Sequence, residues 1–367
     1  MIRIFFSIIV LGHGLIHLLG FAKAYNYGNV TQLTKDISKP MGGLWLMAAL
    51  LLVAVAALFL FKNERWWMLG LVAALVSQAL ILTVWQDAKF GTIANVLVLV
   101  VALLGFTNWG FENRFNEDVT EGMNRTKSTD NPILTETDLA HLPPLVQTYL
   151  RYVGVVNKPK VKNFKLTFDG EMREKDKDFF PFTSVQYNFF DKPTRLFFMK
   201  AQMFGVTVPG YHAYKNGQAA MEIKLFGAYP IVNLKDKTLN KAETVTVFND
   251  MCLMAPASLI DARITWETLD SYSVKATFTN HNSAIQATLF FNDLGQLTNF
   301  VSDDRTALPE MKSYRFSTPV KDYRNINGYN VMTYGETIWD YPDGAFVYGK
   351  FHLKDVVATS ARTASPP

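Results

Sequence analysis

Hydrophobic residues are distributed very unevenly along this chain, and the pattern changes near residue 110. The clearest apolar stretch is LWLMAALLLVAVAALFLF at 44–61, which contains no charged side chain. Four runs of this kind occur, and each has the length that a helix needs to cross the hydrocarbon core of a bilayer. The four predicted membrane spans are 4–22, 44–61, 66–85 and 90–106.

The ends of these spans carry tryptophans, which favour the headgroup layer of a membrane. Short charged connectors at 62–65 and 87–89 predict tight antiparallel turns, so residues 1–110 are expected to form an up-down bundle of four transmembrane helices. A cleavable signal peptide ending near Ala22-Lys23-Ala24 is the alternative for the first run. Its length and its two histidines favour a span.

Residues 111–134 are polar and mixed in charge, which is typical of a linker. Thr135 and Asp138 then resemble an N-cap pair, and apolar residues at helical spacing continue to Gly154, a predicted C-cap. Pro143 and Pro144 interrupt this segment, so two short helices or a kink are expected.

From residue 161 the apolar period changes to two, as in Phe164, Leu166 and Phe168. Turn sequences recur at 191–193, 215–217, 292–295, 327–328 and 341–344, between runs that are typical of strands. We therefore expect ten or eleven strands in a soluble domain over 135–367, mainly antiparallel and shaped as a curved sheet or half-barrel. The alternation stops at 238–261, where a helical insertion is expected to cap the sheet.

Charge separates the same two regions. Residues 1–110 contain seven Lys and Arg against three Asp and Glu, which leaves 29 of each sign in the remainder. The net charge of +4 therefore lies in the predicted anchor, and the neutral soluble domain does not suit a nucleic-acid partner. The single cysteine, Cys252, excludes an intramolecular disulfide and any multi-cysteine metal site.

Polar residues inside the predicted spans form the clearest candidate site of the anchor. His13 and His17 lie four residues apart on one helical face. Counting residues across the bilayer places Gln78 near the depth of His13 and Asn95 near the depth of His17, so these pairs are expected to meet. Polar groups within a membrane need partners. This transmembrane polar cluster is therefore interpreted either as interhelical hydrogen bonding or as a site for a quinone-like molecule, a haem or a proton.

The soluble part resembles the bacterial lipoprotein-carrier fold, a curved antiparallel sheet that wraps around helices and shelters an apolar cavity. Three segments carry the resemblance: ATLFFNDLGQL at 287–297, YRNINGY at 323–329 and WDYPDGAFVY at 339–348. The whole chain also resembles a family of uncharacterised bacterial multi-pass membrane proteins that join four spans to such a domain. The resemblance implies a bacterial inner-membrane location with the soluble domain on the extracytoplasmic side.

No phosphate loop, zinc-binding helix or nucleophile elbow is present, and the sequence gives no residue a catalytic role. The leading hypothesis is a membrane-anchored binding protein that holds a lipid or another apolar molecule without a cofactor or metal. The predicted lining residues are Met199, Met203, Phe204, Tyr211, Met221, Phe226, Met251, Met254, Trp266 and Trp339. The alternatives are a membrane oxidoreductase subunit that binds a quinone or haem through the histidines, and a non-catalytic scaffold for other proteins.

Overall fold

The change of hydrophobic pattern near residue 110 of the sequence coincides with a boundary between two units of the structure. The computed structural model describes residues 2–127, 130, 132–203, 205–307 and 312–359. Two units are distinct: a helical unit of residues 1–113 with 226–228, and a β unit of residues 114–225 with 229–367.

The helical unit contains α1 (Ile2–Ala24), α2 (Lys39–Leu60), α3 (Trp66–Thr83), the short α4 (Trp85–Ala88) and the first part of α5 (Gly91–Thr126). Four of these helices, α1, α2, α3 and α5, are long and apolar enough to cross a membrane. The four predicted spans therefore fall on four separate helices. Helix α1 packs closely on α2 because Gly20 has no side chain at the point where the Trp45 ring lies.

Helix α5 is longer than its predicted span. It continues to Thr126, through most of the segment predicted as a linker. Within the β unit, Phe115 and Val119 on this helix are buried, and the Phe115 ring lies 5.4 Å from Phe198 and 5.6 Å from Tyr211. The polar composition of the segment conceals this narrow apolar stripe, which is enough to hold one helical face against a sheet.

Two short helices, α6 (Glu136–Leu139) and α7 (Pro144–Val153), precede the sheet. Thr135 and Asp138 form the predicted capping pair, and Gly154 ends α7 with a positive φ of 79°. The break falls at the two prolines, as predicted, because the first of them cannot continue a helix and the second begins one.

The β unit contains seventeen described strands, and thirteen of them form one antiparallel sheet, more than the predicted ten or eleven. The strand order is β6-β5-β4-β3-β2-β1-β17-β16-β13-β10-β9-β8-β7, so the curved sheet is open, with β6 and β7 at its edges. The strands are β1 Asn163–Met172, β2 Phe180–Phe189, β3 Thr194–Met203, β4 Val206–Lys215, β5 Gln218–Leu225, β6 Tyr229–Leu234, β7 Ile264–Thr268, β8 Ser273–Asn280, β9 Ser283–Phe291, β10 Leu297–Ser302, β11 Thr306–Ala307, β12 Lys312–Ser313, β13 Arg315–Lys321, β14 Arg324–Ile326, β15 Tyr329–Val331, β16 Tyr334–Tyr341 and β17 Gly344–Thr359. All five predicted turn sequences connect consecutive strands of this set.

Helix α8 (Lys237–Met254) and a 3₁₀ turn (Pro256–Ile260) form the predicted helical insertion. Asp236 begins the helix by accepting a hydrogen bond from the Leu239 N–H at 2.6 Å. On its buried side, Phe248 stacks on Phe278 at 5.3 Å between ring centroids. We call the sheet face that contacts α8 the inner face and the face that contacts the end of α5 the outer face.

Candidate functional site

A small cavity lies between α8 and the inner face of the sheet. Its volume is about 90 Å³. One part of its wall is apolar, with the side chains of Phe168, Leu253, Met254, Met332 and Phe351. The other part is polar, and its charged members are Arg195, Asp250 and Arg305. A larger cleft of about 550 Å³ at the start of α8 is lined by exposed lysines and amides instead.

Arg195 on β3 is the best-paired cation of this cavity. Its Nε donates to Asp250 Oδ2 at 2.8 Å, and its Nη1 donates to Glu243 Oε2 at 3.3 Å. Nη2 donates to Gln186 Oε1 at 3.1 Å. Arg195 and both carboxylates are buried, so two anions of α8 already balance the charge of this guanidinium.

One carboxylate oxygen of Asp250 accepts three hydrogen bonds. Besides Arg195, the amide nitrogens of Gln186 and Asn188 donate to Oδ2 at 2.7 and 3.0 Å. Burial raises the pKa of Asp250, although Arg195 and the Asn188 amide oppose that rise. This network ties the middle of α8 to strands β2 and β3 on the inner face of the sheet.

Arg305, in the segment that follows β10, lines the same cavity in a different way. Its guanidinium carbon lies 4.0 Å from the centre of the Phe316 ring and 5.5 Å from the Trp339 ring. Within the described residues, this guanidinium has no carboxylate partner and no hydrogen bond. Arg305 is therefore a half-buried cation that is supported by aromatic rings and available to an anion.

Two further polar groups complete the surroundings of the cavity. The Asn249 amide donates to Thr318 Oγ1 at 2.7 Å and so joins α8 to β13. His212 on β4 lies in the electrostatic field of Arg195, Arg305 and Glu243. Burial lowers the pKa of His212 to about 4, so this imidazole is neutral near pH 7.

The residues predicted to line a ligand pocket are distributed over several parts of the chain. Met254 lines the cavity, and Trp339 lies beside it under Arg305. Met199 and Met203 pack in a separate apolar cluster at the other end of β3, and Met251 is fully buried in the main core.

The other predicted residues lie away from the cavity. Tyr211 is on the outer face, where its hydroxyl donates to Asp118. Met221 and Trp266 pack at the edge of the main core. Phe226 belongs to the helical unit, and Phe204 lies outside the described residues. The structure thus brings only Met254 and Trp339, of the described residues in this set, to the cavity or its border.

The polar residues predicted to cluster in the anchor lie together in the helical unit. His13 Nε2 lies 2.9 Å from Asn95 Oδ1, and His17 Nε2 lies 2.9 Å from Ser77 Oγ. The Asn95 amide donates to Gln78 Oε1 at 3.0 Å. The histidines therefore pair with Asn95 and Ser77, whereas counting residues along the spans had suggested His13 with Gln78 and His17 with Asn95.

Several of these functional groups were not identified from the sequence. Ser77 and Thr92 are ordinary in apolar helices, yet Thr92 Oγ1 accepts from the Gln78 amide and extends the network. Arg195 and Asp250 are distant in sequence and belong to segments without a motif. The only sequence signal for the latter pair was a carboxylate within the mostly apolar 245–254 segment. No cluster of three or more His, Cys, Asp or Glu suited to a metal occurs among the described residues.

Comparison with known proteins gives a family and a weak structural likeness. The crystal structure of a LolA superfamily protein from Nitrosomonas europaea shares 9% sequence identity with this chain, at a TM-score of 0.34. The match covers 59% of this chain and 94% of that chain. No curated protein matches the chain. A family model described as a family of unknown function (DUF6544) matches residues 132–351, and the chain belongs to this family.

Proposed function

We propose that this protein is a membrane-anchored binding protein whose β unit holds a molecule with an apolar body and an anionic head. Four long apolar helices support the anchor, because each can span the hydrocarbon core of a bilayer. The cavity between α8 and the inner sheet face supports the binding site, because it combines an apolar wall with charged groups.

The Arg305 guanidinium, which has no ion-pair partner among the described residues, is the reason for proposing an anionic head. Arg195 cannot supply this charge because Asp250 and Glu243 neutralise it. Arg305 has two aromatic rings beneath it, which hold the guanidinium plane in the cavity wall. A planar guanidinium in this position pairs well with a carboxylate or phosphate.

The size of the cavity limits what enters it in this conformation. Ligand pockets usually measure about 300–1,000 Å³, whereas this cavity measures about 90 Å³. It therefore has room for a head group, and the apolar body must displace side chains. Met254 and Met332 lie in the apolar wall, and methionine side chains adapt at low cost because they are unbranched. We expect the ligand body to occupy their side of the cavity.

The test is extraction of the full-length protein from membranes in a mild detergent, followed by native mass spectrometry and identification of co-purifying lipids. The proposal predicts a stoichiometric acidic lipid or fatty acid in the wild-type protein. Arg305→Gln is expected to lower its occupancy by about tenfold, as the loss of a charge-assisted hydrogen bond would.

Arg315→Gln is the matched control for this substitution. Arg315 lies near Arg305 in sequence, but it is exposed and paired with Asp303 at 3.0 Å. We expect its replacement to leave ligand occupancy unchanged. A wild-type protein without ligand, or equal occupancy in both variants, would contradict the proposal and favour the scaffold interpretation.

We further propose that the β unit lies on the extracytoplasmic side of the bacterial inner membrane, as the resemblance to lipoprotein carriers implies. A single introduced cysteine can test this. Leu294 is 69% exposed in the turn between β9 and β10, whereas the native Cys252 is buried. A membrane-impermeant maleimide should label Leu294→Cys in cells whose inner membrane is intact. Labelling that requires lysis would place the unit in the cytoplasm.

A further inference from the structure

The helical unit contains a groove that the proposed ligand of the β unit does not use. It lies along α1, with the loop after α1, α4 and the start of α5 as its other walls, and its volume is about 560 Å³. This volume falls within the usual range for ligand pockets. The walls are mainly apolar and include Ile8, Ile16, Leu19, Ile81, Phe90 and Ala94.

His13 and His17 form part of the groove surface, and hydrogen bonds define their tautomers. The Nδ1 atom of His17 lies 2.9 Å from the His13 carbonyl oxygen, which can only accept, so Nδ1 carries the proton. His17 Nε2 lies 2.9 Å from the Ser77 hydroxyl, for whose single proton it competes with Asn95 Oδ1 at 2.8 Å from the same oxygen. Both ring nitrogens of His17 thus face polar atoms within the helical unit.

His13 differs because one of its ring nitrogens has no hydrogen-bond partner among the described residues. The Asn95 amide nitrogen donates to Gln78, so Asn95 Oδ1 is the atom that faces His13 Nε2. His13 Nε2 must therefore donate to Asn95 Oδ1, which leaves Nδ1 unprotonated in the neutral ring. His13 Nδ1 has no hydrogen-bond partner among the residues that the structure describes.

Trp45 adds a second group of this kind. It also lines the groove, its ring lies 5.1 Å from that of His17, and it is buried. The indole N–H has no hydrogen-bond partner within the described part of the chain. The groove thus has an unused acceptor on His13, whereas the indole nitrogen of Trp45 has almost no accessible surface and does not itself face a ligand in the groove. An unused acceptor is costly in apolar surroundings unless a ligand pairs with it.

The depth of the groove restricts the chemistry of that ligand. His13 lies near the middle of α1, about 17 Å along the helix from Ile2. If α1 spans a bilayer, a charged head group at this depth would be strongly disfavoured. A neutral hydroxyl can donate to His13 Nδ1 and also accept a hydrogen bond, and a flat ring suits the aromatic side chains of Trp45 and Phe90.

We propose that this groove binds a membrane-dissolved aromatic diol of the quinol class, with one ring hydroxyl donating to His13 Nδ1. The inference rests on the proposed membrane insertion of the helices and is independent of the ligand of the β unit. It assigns binding alone.

Two glycines provide a matched pair of test variants. Gly12 lines the groove, and a Cβ atom added there meets no atom within 4 Å. Leucine at this position can therefore occupy the groove without disturbing the helix packing. Gly43 on α2 has equally open surroundings and does not line the groove, so Gly43→Leu controls for the loss of a helical glycine.

The experiment uses the full-length protein in phosphatidylcholine nanodiscs under reducing, anaerobic conditions, with decyl-benzoquinol as the probe. Quenching of tryptophan fluorescence and native mass spectrometry would measure binding. We expect one saturable site in the wild-type and Gly43→Leu proteins, and affinity at least about tenfold lower in Gly12→Leu. The corresponding quinone, which has no hydroxyl donor, should bind more weakly than the quinol.

Three results would overturn this inference. These are equal affinity in Gly12→Leu and Gly43→Leu, tighter binding of the quinone than of the quinol, and a phospholipid that the probe cannot displace from the groove. Arg305→Gln should leave quinol binding unchanged, so failure of this inference is distinguishable from failure of the site in the β unit.

Discussion

Asp250 offers the sharpest test of how the inner face of the sheet is held to α8. Replacing Asp250 by alanine removes the oxygen that accepts from Arg195, Gln186 and Asn188, at distances of 2.7 to 3.0 Å. Breaking a buried ion pair from one side typically costs about 3–5 kcal/mol, because the remaining charge stays buried. Glu243 still pairs with Arg195 and the Gln186 amide still donates to Asn188 Oδ1, but the Asn188 amide nitrogen loses its acceptor, at about 1–3 kcal/mol.

We therefore expect Asp250→Ala to lower the free energy of unfolding by about 3–5 kcal/mol, a large part of the usual 5–15 kcal/mol of a folded protein. Urea unfolding of the full-length protein in detergent would measure this change, with sheet content followed by circular dichroism. Asp303→Ala is the control, since Asp303 is exposed and paired with Arg315. Its replacement should cost at most about 1 kcal/mol.

A triple variant separates the charges from the packing around them. Replacing Arg195 by methionine, Asp250 by leucine and Glu243 by methionine removes all three buried charges, and such apolar replacements are often neutral or stabilising. We expect this triple variant to be more stable than Asp250→Ala alone. If Asp250→Ala costs no more than the exposed control, the network does not hold the helix to the sheet, and the reasoning above is refuted.

Three further predictions concern other parts of the chain. The neighbouring Arg114 lowers the pKa of Glu222 from 4.5 to about 2. The ionised Glu222 therefore stabilises the fold fully above pH 4.5, and this contribution is lost as the pH falls toward 2. Glu222→Gln should flatten the dependence of the free energy of unfolding on pH in that acid range. Gly20→Leu should lower the thermal midpoint in detergent by the equivalent of about 1–3 kcal/mol, because the new side chain overlaps the Trp45 ring; an unchanged midpoint would contradict this packing. Phe248→Ala should cost about 3–5 kcal/mol in urea unfolding, and a cost as small as that of an exposed surface substitution would show that α8 does not anchor the core.

The limits of the helices and strands, and the spacing of their apolar residues, were largely predictable because both depend on residues that are close together in sequence. The apolar runs, the caps at Thr135 and Gly154 and the five strand turns depend on residues close in sequence, and the structure places helices and hairpins accordingly. The end of α5 shows where this reasoning stops. A stripe of single apolar residues such as Phe115 and Val119 is too weak to predict a helix until a sheet is present to bury it.

The candidate sites divide in the same way. The sequence by itself determined that His13, His17, Gln78 and Asn95 lie within apolar helices, where a polar side chain needs a partner. Only the tertiary structure decided which atoms pair, and hence that one nitrogen of His13 is left without a partner in the described residues.

For the β unit, the sequence determined the alternation that gives an antiparallel sheet and the apolar insertion that caps it. It could not show that Arg195 meets Asp250 or that Arg305 stacks on Phe316. Those contacts join residues that are distant along the chain, and their positions depend on strand order and on the placement of α8 against the sheet. Periodicity specifies which face of an element is buried, whereas only the assembled fold specifies what that face is buried against.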